Sequence, residues 1–202
     1  MRAREFLLEG PQGKTVVIFP GGFHPFHQGH YYVYETLVQK FPGADVYVAA
    51  TNSTAERPFP FEEKRYLAAQ AGVPADRFVL VKSPYKADEI VSQYNPETDH
   101  VIFALSEKDA GRISYTKKDG SLGYMQPYKD GVELAPIKEH GYVFITPKVD
   151  FTVAGQTVDS ASMIRNMYAQ GDDQVKAQIV ADLYPNSRQK DKVKQIIDAV
   201  LG

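Results

Sequence analysis

The sequence predicts an α/β protein built on a doubly wound parallel sheet of five strands, with helices on both faces and a helical extension at the C-terminus. Three observations carry this reading. Short β-branched runs alternate four times with helical periodicity, at the spacing of βαβ units. The strand runs are continuously apolar, as in a sheet covered on both faces. The chain has 202 residues, which suits one domain at roughly 100–200 residues per domain.

Each element follows in order. Lys14 to Pro20 (KTVVIFP) is the first strand, stopped by Pro20-Gly21-Gly22. From Gln28 to Phe41 the apolar residues Tyr31, Tyr34, Leu37, Val38 and Phe41 fall at helical spacing, and Pro42-Gly43 ends the helix. Asp45 to Ala50 is the second strand, and Phe61 to Ala71 a helix closed by Gly72. Arg77 to Lys82 is strand three, Ala87 to Tyr94 a short helix, and His100 to Leu105 strand four. Residues 108–140 break the rhythm with turn signals at Asp119-Gly120 and Asp130-Gly131. They read as an insertion or a lid, with Tyr115, Tyr124 and Tyr128 available for stacking. Tyr142 to Thr146 is the fifth strand. Ser160 caps a helix that runs to Gln170 and ends at Gly171. Two further helices, Gln174–Leu183 and Gln189–Leu201, are split by Pro185-Asn186. The whole reads as one Rossmann-like domain, residues 1–202, with its core at 14–171 and C-terminal helices at 172–202.

Composition excludes several classes. Apolar residues make up 43% and charged residues 24%, which rules out wholesale disorder. The net charge of −2 lacks the basic field that non-specific nucleic-acid binding needs. The absence of cysteine excludes a disulfide scaffold, a thiolate zinc site and a cysteine nucleophile. No run approaches the roughly 18–20 apolar residues of a membrane helix. The opening MRAREFLLEGPQGK lacks a secretory pattern, so a soluble cytoplasmic protein is expected. A homo-oligomer is left open.

The most informative segment is Gly21-Gly22-Phe23-His24-Pro25-Phe26-His27-Gln28-Gly29-His30. It lies at the carboxyl end of the first strand, where a parallel sheet places its ligands. Gly21 and Gly22 allow a sharp turn and the approach of a bulky anion. The following helix offers free N–H groups and the positive end of its dipole. His27 and His30, three apart, share one helix face, and Gly29 between them clears space for a ligand. This donor cluster suits a polyphosphate. Packing explains two such histidines poorly, and zinc would need a third ligand, which no neighbouring residue supplies. Phe23 and His24 belong to the same loop, His24 either supporting it or touching the ligand. His100 and His140 are isolated and read as structural or solvated.

The pattern Gly-x-x-x-Pro-x-His-x-Gly-His, filled by Gly21, Pro25, His27, Gly29 and His30, resembles the signature of the HxGH nucleotidyltransferase superfamily. That superfamily includes nicotinamide-mononucleotide and phosphopantetheine adenylyltransferases and the cytidylyltransferases. Its second signature, Ser-x-Thr-x-x-Arg, is matched by Ser160-Ala161-Ser162-Met163-Ile164-Arg165, with serine in place of threonine. The likeness spans about residues 14–171. It implies that an acceptor phosphate attacks the α-phosphorus of a nucleoside triphosphate and that pyrophosphate leaves. His27 and His30 would donate to the triphosphate, Ser160, Ser162 and neighbouring N–H groups would hold its outer phosphates, and Arg165 would lie across them. Mg2+ would enter with the nucleotide, and the protein itself would hold no metal. The partners implied are an NTP and a phosphorylated small molecule. Arg57, Asp109 and Arg112 are the candidates for acceptor binding, although the stretch Leu105 to Arg112 stands where the family often has Gly-x-Asp or a nearby Arg, and lacks that glycine. The stretch Gly155 to Ser160 lacks the Arg-Thr-Glu-Gly-Ile-Ser signature of cytidylyltransferases, which favours ATP over CTP. A nucleotide-binding module without turnover is the alternative. An aminoacyl-tRNA synthetase fragment shares the histidine logic, but this chain is short and lacks the Lys-Met-Ser-Lys-Ser loop.

Overall fold

The computed structural model describes residues 13–53 and 58–202. The expectations for the N-terminal segment 1–12 and for Arg57 lie outside the described residues. Six parallel strands form the sheet: β1 (Thr15–Gly21), β2 (Asp45–Ala50), β3 (Phe78–Leu80), β4 (His100–Leu105), β5 (Met125–Pro127) and β6 (Gly141–Ile145). Their order is β3-β2-β1-β4-β6-β5, so β1 lies inside the sheet between β2 and β4. The chain winds one way through β2 and β3 and the other way through β4 and β6. The switch point therefore falls between β1 and β4, where such sheets open a crevice.

Alternation along β1 divides the core. Val17 and Phe19 face one side, with α1 (Gln28–Lys40), α2 (Phe61–Ala71), α5 (Ala161–Gln170), α6 (Asp173–Leu183) and α7 (Lys190–Leu201). Val16 and Ile18 face the other, with α3 (Asp88–Val91), α4 (Glu107–Ala110) and Ile137. Both faces are covered, as the continuous apolar runs predict. Among the described residues no helix is long and apolar enough to cross a membrane.

The apolar runs predict five strands, and the sixth is β5. It has only three residues and ends in Pro127, so no β-branched run announces it. Proline is tolerated there because β5 is an edge strand. Met125 pairs with Gly141, where a Cβ would stand 3.0 Å from the Met125 sulfur. The rest of the 108–140 excursion packs around this edge. Tyr128 lies edge-on to Phe41, with ring centroids 5.2 Å apart, and the Tyr124 hydroxyl donates to the Ile137 carbonyl at 2.8 Å. Strand three shortens to Phe78–Leu80 because Ala75–Arg77 form a 3-10 turn. The third helix starts after Ala87, which sits at φ 47°, and keeps only Asp88–Val91. A second element had no strong sequence signal: the antiparallel hairpin β7 (Phe151–Val153) and β8 (Gln156–Val158). Ala154 and Gly155 turn it with φ 47° and 76°, both in the left-handed region that hairpin turns demand.

The C-terminal helices complete the main core. Ile179, Leu183 and Tyr184 are fully buried, and the Tyr184 hydroxyl donates to the Phe26 carbonyl in the loop after β1. The last two helices thereby anchor the first βα turn. Tyr184→Phe strands a buried carbonyl and should lower stability by about 1–3 kcal/mol, read as a lower urea midpoint at unchanged slope. An unchanged midpoint would remove this tie.

Candidate active site

The turn after β1 is shaped by its aromatic residues. A Cβ on Gly21 would stand 2.6 Å from the Phe23 ring, which folds back over that glycine. Phe23 itself has φ 53°, a left-handed conformation that costs a non-glycine residue on the order of 1–3 kcal/mol. Burial of its ring against Phe19, Phe26 and Phe78 offsets that strain. The same ring meets His30 edge-on, with centroids 5.1 Å apart.

His27 is the N-cap of α1, and its Nδ1 accepts from the Gly29 backbone N–H at 3.1 Å. An accepting Nδ1 puts the proton of the neutral ring on Nε2. The His27 and His30 rings lie 3.9 Å apart at 34°, so the two imidazoles share a face as their spacing predicts. Burial, and then the neighbouring His30, hold His27 well below its ordinary range. Burial lowers His30 from 6.5 to about 4. Both rings are therefore neutral near pH 7. The Nδ1 of His30 is buried and has no hydrogen-bond partner among the described residues, so packing there leaves part of this ring's polarity unused.

Neighbouring elements brace the loop. His24 is buried, and its Nδ1 accepts from the Phe59 N–H at 3.2 Å. Arg165 donates from Nη1 to the His24 carbonyl at 2.8 Å and from Nη2 to the Ser162 hydroxyl at 3.1 Å. Ser160 caps α5, its hydroxyl accepting from the Met163 N–H at 3.3 Å. Neither α1 nor α5 has an acidic residue in its first turn, so their own side chains leave both positive ends uncompensated.

These groups line a cavity of about 430 Å³. It brings together Gly21, Gly22, Phe23, His24, His27, Gly29, His30, Asp109, Ser160, Ser162 and Arg165. Arg112 does not line it. Its guanidinium pairs with Asp109 at 3.1 Å on the exposed side of α4, where an i, i+3 partner holds it. Tyr115, Tyr124 and Tyr128 are likewise absent from the lining. His100 and His140 lie elsewhere, with Nδ1 beside the carbonyls of Ala135 and Tyr124. Among the described residues no group of three or more His, Cys, Asp or Glu could hold a metal.

Sequence reasoning missed part of the lining: Ser106 after β4, Thr146 to Val149 after β6, Phe151 on β7, and Asp159. For Ser106 and the Thr146–Val149 segment the signal existed, because both follow the carboxyl end of a strand next to the switch point. Phe151 had none while its hairpin went unread.

No protein-family model matches the chain, and no curated protein matches it. Solved structures do. The nicotinic acid mononucleotide adenylyltransferase of Plasmodium falciparum, complexed with APC, is 12% identical at a TM-score of 0.50, over 92% of this chain and 98% of that one. The bifunctional NMN adenylyltransferase/ADP ribose pyrophosphatase of Francisella tularensis is 15% identical at a TM-score of 0.52. That match covers 94% of this chain and 52% of the Francisella chain, so this chain spans about half its length. The chain has the fold of these nucleotidyltransferase structures.

Proposed function

We propose that this protein is a cytoplasmic nucleotidyltransferase that transfers a nucleoside monophosphate, AMP in preference to CMP, from an NTP to a phosphorylated small molecule. The observation that carries the reading is the convergence of two helix N-termini, the His27–His30 pair and Arg165 on one cavity at the end of β1. Such a site suits a polyanion. The mononucleotide adenylyltransferase activities named for the two neighbours favour a mononucleotide as the acceptor.

An acceptor phosphate oxygen forms a bond to the α-phosphorus while the bond to the bridging oxygen breaks, and pyrophosphate leaves with the electron pair. No proton transfer is required. His27 and His30 donate to the α-phosphate, where charge changes most, and Arg165 with the N-terminus of α5 holds the outer phosphates. Catalysis is then positioning and charge stabilisation. The carboxylates Asp109 and Asp159 line the same cavity and fit the water shell of a magnesium ion carried in by the triphosphate. That ion would supply charge neutralisation.

Two outcomes test this. Pyrophosphate release from ATP and a mononucleotide should be measurable, and His30→Ala should slow it by about two to three orders of magnitude with folding retained. Binding of ATP without turnover in the wild type would leave a nucleotide-binding module instead. The second outcome concerns pH. Because the folded pKa of both histidines lies below the unfolded value, the unfolded chain binds more protons below pH 6.5, down to about 4 for His30. The ligand-free protein should therefore lose stability as pH falls through that window. A bound polyphosphate favours imidazolium, so tripolyphosphate should raise Tm more at about pH 5.5 than at about pH 8. Equal shifts would take the imidazoles out of contact with the anion.

A further inference from the structure

The β7–β8 hairpin lies between the fifth strand that the sequence predicts and the hydroxyl motif at the start of α5, and neither motif includes it. It is firmly held. Val153 and Val158 are completely buried, and the Ala154 N–H donates to Asp182 on α6 at 2.8 Å. At its start stands Phe151, only partly buried and lining the cavity. Its ring centroid is 5.0 Å from that of His27, with the planes tilted by 40°. The contact also constrains the loop. A Cβ on Gly29 would stand 2.7 Å from Cε1 of Phe151 and 3.0 Å from Cε1 of His27. Gly29 thus lets the hairpin close down on the turn, and its own N–H is the donor to the His27 ring.

We propose that Phe151 is a positioning residue for His27: its ring, held by the hairpin, keeps the imidazole on the Gly29 N–H and against His30, so that Nε2–H is the donor offered to the phosphate. The catalytic part of this inference rests on the nucleotidyltransferase reading; the part concerning the ring does not. With Phe151 in place, His27 has an aromatic neighbour, an imidazole neighbour and one backbone donor, which together restrict its rotation. Without it, water reaches the ring and the rotamer is held by the Gly29 bond and His30 alone. The other charged or titratable groups facing the cavity are His24 in the loop after β1, His30 on α1, Asp109 on α4, Lys148 before β7, Asp159 after β8 and Arg165 on α5. Of these, His30 is the one that shifts His27.

The test compares Phe151→Ala and Phe151→Tyr with the wild type in two measurements. The first is the titration of the His27 ring followed by NMR in the ligand-free protein. The second is steady-state kinetics with ATP and a mononucleotide acceptor. Phe151→Ala should move the His27 titration up toward 6.5 and lower kcat about tenfold, with both KM values changed less than about twofold. Phe151→Tyr should retain wild-type behaviour in both. If alanine unfolds the chain, Phe151→Leu is expected to show the same pattern in weaker form. An unmoved His27 titration would overturn the proposal, as would a raised KM at unchanged kcat, which would make Phe151 a substrate contact. Should the wild type show no transfer, the nucleotidyltransferase reading fails, while the NMR titration still decides what Phe151 does to His27.

Discussion

The structure depends on one constraint: the backbone between Gly21 and His30 must turn tightly enough to aim two neutral imidazoles and a helix N-terminus at the same point. That turn is unfavourable in isolation. Phe23 occupies a left-handed conformation, and two polar rings are taken out of water. The surrounding elements offset this. The loop after β2 donates to His24, α5 reaches its carbonyl through Arg165, and Tyr184 holds Phe26. The β7–β8 hairpin roofs His27. Elements far apart in the chain therefore meet on ten residues, and the C-terminal helices share one apolar core with the sheet.

Electrostatics follow from the same geometry. The chain is slightly acidic as a whole, with a net charge of −2, yet the cavity presents donors and the ends of two helices whose first turns hold no acidic residue. Attraction for an anion at this cavity is thus local and short-ranged. Neutral histidines are consistent with this. An empty site that held two imidazolium rings 3.9 Å apart would destabilise itself through like-charge repulsion.

Much of this was legible in the sequence, for physical reasons that differ by element. β1, β2 and β4 are buried on both faces, so their apolar runs announce them within about a residue. The histidine pair and the Ser160–Arg165 segment stood out by a spacing that packing does not need, and both line the same cavity. The three-residue strands β5, β7 and β8 were not, because their pairing is set by neighbours and not by their own composition. Arg112 is an acceptor-binding candidate through the resemblance, and in the structure its guanidinium pairs with Asp109 outside the cavity lining. The bond from Tyr184 to Phe26 joins residues 158 apart, and no local pattern encodes it.

The most direct measurement follows the phosphorus. ATP labelled at the α-phosphate or at the γ-phosphate is incubated with the protein, magnesium and a mononucleotide, and the products are separated. The proposed placement of His27 and His30 at the α-phosphate, with Arg165 and α5 at the outer phosphates, predicts that the α-label enters the dinucleotide product and the γ-label leaves as pyrophosphate. Transfer of the γ-label to the acceptor, or its release as orthophosphate, would contradict the account.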